Sequence, residues 1–109
     1  MKTQKLKAFE DFLRRAEIIP ETLLLITENN SACRKVITQL DSLSFEIPFY
    51  ELNLSDYPNL EGELSDYYSK DKLPTFFYFR GKNIINRKEG FDEAFEFSQF
   101  IVSSKSKAS

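Results

Sequence analysis

Two short runs decide most of what this 109-residue chain can become. Thr22-Leu23-Leu24-Leu25-Ile26-Thr27 and Thr75-Phe76-Phe77-Tyr78-Phe79 are apolar at consecutive positions, not at alternate ones. A strand sends successive side chains to opposite faces of its sheet, so an unbroken apolar run requires both faces to be covered. The covering layers are helices, and the sequence between the runs supplies them. Leu6, Phe9, Phe12, Leu13 and Ala16 recur at helical spacing among charged residues, and Pro20 ends that helix. Cys33, Val36, Ile37, Leu40 and Leu43 share one face of a second helix over about 31–43.

Pro48-Phe49-Tyr50-Glu51-Leu52-Asn53 reads as a second strand, parallel to the first across that helix. Pro58 opens a third helix carrying Leu60, Leu64, Tyr67 and Tyr68, which fades in Ser69-Lys70-Asp71-Lys72. The aromatic run from Phe76 to Phe79 is core, and Arg80-Gly81-Lys82 turns it into a fourth strand, Asn83 to Arg87. After Gly90 a last helix places Phe91, Ala94, Phe95, Ser98, Ile101 and Val102 on its packing face. Phe100 falls on the opposite, exposed side, a partner-contact candidate together with Phe97. Residues 103–109 are expected to fray. The expectation is one domain over 1–109, α/β, with a central mixed four-stranded sheet and the order αβαβαββα.

Composition narrows the function classes. An apolar share of 41% with 29% charged residues is that of a globular domain, and a net charge of −2 with mixed signs disfavours nucleic acid and anionic membranes as partners. No run nears the roughly 20 apolar residues that span a bilayer, and no apolar segment follows the N-terminal lysines as in a signal peptide. A cytoplasmic setting is expected. The single cysteine precludes an internal disulfide. With no histidine, Ser-His and Cys-His nucleophiles and most zinc sites are excluded, so neither metal nor cofactor is expected.

Four features occur in a telling order. The strand Leu23-Leu24-Leu25-Ile26 leads into Asn30-Ser31-Ala32-Cys33-Arg34; Leu73-Pro74-Thr75 precedes the aromatic strand; Gly81-Lys82 makes the hairpin turn; Gly90 precedes the last helix. Together these resemble the thioredoxin-like superfamily over about residues 5–102. The resemblance implies a cis-proline at Pro74 and a redox turn at Asn30–Cys33. It also implies departures. Cys33 matches the second cysteine of the Cys-x-x-Cys pair, while Asn30 replaces the first, the attacking nucleophile. Asn29 stands in place of the usual tryptophan and Leu24 in place of a buried aspartate. The segment from Asn53 to Pro74 is longer than usual, and the short first strand of the family is missing. Dithiol–disulfide oxidoreductase activity is therefore not expected.

Two readings of Cys33 stay open. As a monothiol it would form mixed disulfides or take up glutathione, favoured by the helix N-terminus and by Arg34 and Lys35. As a core residue it would pack with Val36, Ile37 and Leu40. A helix end contributes about 0.3–1 kcal/mol, less than one pKa unit, whereas burial raises a thiol by up to several units. Burial, if present, wins. Asn30 reads as a helix cap, or as a polar group offered to a partner. In the family, the residue before the proline pairs its backbone with an extended client segment. That groove needs no thiol, which makes Asn29, Asn30, Ser31, Ala32, Leu73, Pro74 and Thr75 the candidate peptide-binding residues. The leading expectation is a non-catalytic protein-binding module of unidentified partner; the alternatives are a monothiol redox protein using Cys33 and an unrelated ligand-binding α/β domain.

Overall fold

The computed structural model describes residues 4–42, 46–90 and 94–108. The elements are β1 (Gln4–Leu6), α1 (Phe9–Ile18), β2 (Glu21–Thr27), α2 (Ser31–Asp41), β3 (Phe49–Asn53), α3 (Asn59–Glu63), a 3₁₀ turn (Lys70–Lys72), β4 (Thr75–Arg80), β5 (Asn83–Glu89) and α4 (Ala94–Ala108). The strands form one sheet in the order β1-β3-β2-β4-β5. β2 runs parallel to β3, with Leu25 opposite Glu51, and antiparallel to β4, with Leu24 opposite Phe77. The α2 crossover joins the parallel pair, and Gly81, at φ 59°, makes the turn of the β4–β5 hairpin.

Four strands were expected, and the described residues form five. β1 is a three-residue strand, Gln-Lys-Leu, that pairs parallel to β3 with Leu6 opposite Leu52. Leu6 thus belongs to a strand and not to the first helix. Three residues are too few to carry a period of their own, and only the free edge of β3 makes them a strand.

The unbroken apolar runs do bury both faces. One core holds Leu24, Ile26, Tyr50, Leu52, Phe77 and Phe79 under α1, whose Phe12 and Ala16 are wholly buried. The Phe12 ring meets Phe79 at 4.8 Å and Tyr50 at 5.9 Å, both edge to face. The other core holds Leu23, Leu25, Phe49, Phe76 and Tyr78 against Val36 and Leu40 of α2 and against Phe97, Phe100 and Ile101 of α4.

Helix α4 is phased differently from the expectation. Phe97, Phe100, Ile101 and Ser104 are buried, while Ser98 is exposed and Val102 is 70% exposed. Neither Phe100 nor Phe97 is a surface contact residue. Phe91 and the side chains of Ala94 and Phe95, which belonged to the expected face, lie outside the described residues, as does Leu43. The helix also runs further than expected: α4 continues to Ala108. The Ser104 hydroxyl donates to the Phe100 carbonyl at 2.6 Å and accepts from the Asn86 amide at 3.0 Å, while Lys107 donates to Asn86 at 3.0 Å. The third helix is shorter than expected. It closes at Glu63, leaving Leu64 buried and Tyr67 and Tyr68 half-buried in the turns that follow.

Candidate functional site

The register of β2 against β4 builds the site. Ile26 lies opposite Thr75, so the chain leaving β2 and the chain entering β4 meet at the same end of the sheet. The Asn29–Cys33 turn and the Leu73–Thr75 segment are brought together there. The Leu73–Pro74 peptide bond is cis. The Pro74 carbonyl accepts from the Gly90 N–H at 2.9 Å, and the Thr75 hydroxyl donates to the Lys72 carbonyl at 3.4 Å. Exposure divides the candidate residues in two. Asn29, Ser31 and Ala32 face solvent, whereas Leu73, Pro74 and Thr75 are buried as whole residues.

Asn30 is the N-cap of α2. Its extended backbone ends the turn, and its side-chain oxygen accepts from the Cys33 N–H at 2.8 Å. The amide nitrogen of the same side chain donates to Glu28 at 2.9 Å, so both ends of the group are used within the turn. The reading of Asn30 as a group offered to a partner loses most of its basis. Asn29 is anchored as well: its backbone N–H donates to the Ser55 hydroxyl at 2.9 Å, and its side-chain oxygen accepts from Asn53 at 3.0 Å.

Cys33 is 2% exposed and reduced. It groups with Leu24, Ile26 and Leu73, in the core on the other face of the sheet from Val36 and Leu40, because it sits in the first turn of α2 where the helix meets the strand ends. The expected packing with Val36, Ile37 and Leu40 is corrected accordingly. Burial pushes the thiol pKa up, and the carboxylates of Glu28 and Glu51 add to that. Hydrogen bonding with the Glu28 backbone and the Asn30 side chain offsets only part of it. Arg34 and Lys35, expected to favour thiolate, are exposed, and neither is among the groups that shift the thiol. The arrangement stores a protonated thiol and does not activate one.

Three polar residues at this end were not singled out by sequence reasoning. Asn53, at the end of β3, donates to Asn29 and accepts from the N–H groups of Ser55 and Asp56 at 2.9 and 3.2 Å, tying β3 to the turn. Thr27 and Glu51 form a buried pair, with the Thr27 hydroxyl donating to Glu51 at 2.6 Å. A signal existed: Glu51 is the one charge in Phe49-Tyr50-Glu51-Leu52, a stretch otherwise suited to burial. Asn53 and Glu51 border a cleft of about 470 Å³ between α2 and the β1–β3 edge, which Cys33 also lines. Among the described residues no group of three or more acids, cysteines or histidines gathers to hold a metal ion, and no described helix is long and apolar enough to cross a membrane.

No protein-family model matches the chain. No curated protein matches it in sequence. Solved structures do resemble it. The thioredoxin of Malassezia sympodialis superposes with a TM-score of 0.73 at 14% identity, covering 94% of this chain and 91% of that one. The thioredoxin of Trypanosoma brucei brucei gives 0.74 at 13% identity, over 94% and 89%. Thioredoxin f of the spinach chloroplast gives 0.69 at 14% identity, over 99% and 95%. At such identities the likeness is one of fold: the chain has the thioredoxin fold, with a single cysteine where a dithiol pair would need two.

Proposed function

We propose that the chain is a non-catalytic protein-binding module, taking an extended peptide along the Leu73–Pro74 backbone and across the exposed Asn29, Ser31 and Ala32. The observation that carries this reading is the division of exposure at the end of the sheet. The strand register sets the turn and the proline segment at one end of the sheet, where Asn29, Ser31 and Ala32 are exposed beside the Leu73–Thr75 segment, while the sole thiol is 2% exposed. Backbone pairing of this kind needs edge N–H and C=O groups and no redox chemistry. The turn is also stiff, held by Asn53 and Ser55 on one side and capped by Asn30 on the other, which reduces the ordering cost of binding. A reducing setting such as the cytoplasm suits a lone buried thiol.

The test is capture of partners from a lysate on the intact chain beside two variants of exposed residues flanking the surface, Ala32→Trp and Lys72→Trp, read by mass spectrometry. Captured partners are then retested as isolated peptides. Loss of the same partners from both variants is the expected result, and equal capture by all three proteins would refute the reading. A second reading, mixed disulfide formation or glutathionylation at Cys33, has one observation in its favour: Cys33 lines the cleft beside α2. Its burial and raised pKa weigh against it.

A further inference from the structure

We propose that the cleft between α2 and the β1–β3 edge is a binding site for an organic cation with a short apolar stem, an alkylguanidinium or alkylammonium, held by the carboxylate of Glu51. Glu51 is 2% exposed and lines this cleft. One carboxylate oxygen accepts from the Thr27 hydroxyl at 2.6 Å, and the other has no hydrogen-bond partner among the described residues. A carboxylate only accepts, and a buried acceptor without a donor is a costly thing for a fold to retain. The missing component is a donor, and the strongest donor to a carboxylate is a cationic N–H.

The surroundings select for that chemistry. Ile37 gives the cleft an apolar wall for an alkyl stem, and Glu28 adds a second acid beside it. Two cations, Lys5 and Arg34, also stand on the rim, but both are turned to groups of their own. The Lys5 ammonium pairs with Asp56 at 3.4 Å, and the Arg34 Nε–H donates to the Asn30 carbonyl at 3.4 Å. The volume of about 470 Å³ is in the range of small-molecule sites. This site shares only the Asn29–Cys33 corner with the peptide surface proposed above and does not depend on it.

The experiment is an amide chemical-shift titration of the full chain with butylguanidine, with its neutral isostere butylurea as control. Saturable shifts at Thr27, Arg34, Thr38 and Asn53 are expected with butylguanidine and not with butylurea. Glu51→Gln keeps the shape and removes the charge, and should weaken binding about tenfold or more. If that variant fails to fold, Thr38→Trp carries the test: Thr38 is exposed on α2 at the cleft, so an indole there fills the mouth and should abolish the shifts. A blocked Gly-Gly-Arg-Gly-Gly peptide separates the sources of the cation. Glu51-dependent binding of the peptide identifies a partner's side chain, and binding of butylguanidine alone identifies a free small molecule. Lys72→Trp, at an exposed residue that does not line the cleft, should leave every titration unchanged, so failure of the peptide surface and failure of this site are distinguishable. The proposal is overturned if butylguanidine gives no saturable shifts at the cleft, if butylurea or Glu51→Gln performs as well, or if the free oxygen of Glu51 proves to be met by a buried water only.

Discussion

Replacing Cys33 by serine tests whether the thiol is structure or chemistry. The side chain is 2% exposed, in a core with Leu24, Ile26 and Leu73. Serine puts a hydroxyl there, and a buried hydroxyl that lacks a partner costs about 1–3 kcal/mol. In the first turn of α2 the new hydroxyl could still turn back to a preceding carbonyl, which would bring the loss to the lower end of that range. Alanine introduces no polar group and leaves only a small void, so it should cost about 1 kcal/mol from lost burial and incomplete relaxation. A domain of this size shifts its Tm by roughly 4 °C or more per kcal/mol. Serine carries the hydroxyl cost on top of the lost sulfur packing, so Cys33→Ser should melt below Cys33→Ala, and both below the parent, in thermal melts followed by circular dichroism. The companion assay is thiol labelling at neutral pH. A protonated, covered thiol reacts only through opening of the structure, so native labelling should be far slower than labelling in denaturant. Rapid native labelling, with both substitutions neutral for stability, would show that Cys33 is a working monothiol and that the burial argument is wrong.

Three further outcomes are expected. The protein should not catalyse insulin reduction by dithiothreitol above background, and Asn30→Cys should restore little while removing the α2 cap at a cost of about 0.5–2 kcal/mol; a high turnover from either form would contradict the reading of the site. Phe100→Ala should destabilise by about 3–5 kcal/mol, whereas Val102→Ala, at a position 70% exposed, should stay within about 0.5 kcal/mol; the reverse order in urea melts would show that α4 packs on its other face. Stability should fall as pH rises above about 8.5, the ordinary thiol pKa, because the unfolded thiol ionises there while the folded one, with its pKa raised by burial, keeps its proton. That alkaline loss should be smaller in Cys33→Ala, and an unchanged pH profile would remove the thiol from the balance.

The sequence by itself determined the frame. Consecutive apolar residues in β2 and β4 require a sheet covered on both faces, the spacing around α2 makes the first two long strands parallel, and Gly81 closes the hairpin. It also determined that this sequence holds no dithiol pair of its own, since that depends on a count of cysteines and not on geometry. The order of local motifs was enough to indicate the thioredoxin fold and the residues at the end of its sheet. Tertiary structure decided everything that depends on a neighbour. β1 exists because β3 has an edge, and Cys33 falls in one core and not the other because the first turn of α2 meets the strand ends. Phe100 is inside because β5 and α4 meet through Asn86 and Ser104, a contact between residues 18 apart that no helical period reports. Glu51 shows the division most clearly. Its charge is legible in the sequence, but only the tertiary packing buries it beside a cleft, gives one oxygen to Thr27 and leaves the other without a partner among the described residues, because the cost of a buried charge depends on which donors the fold brings within reach.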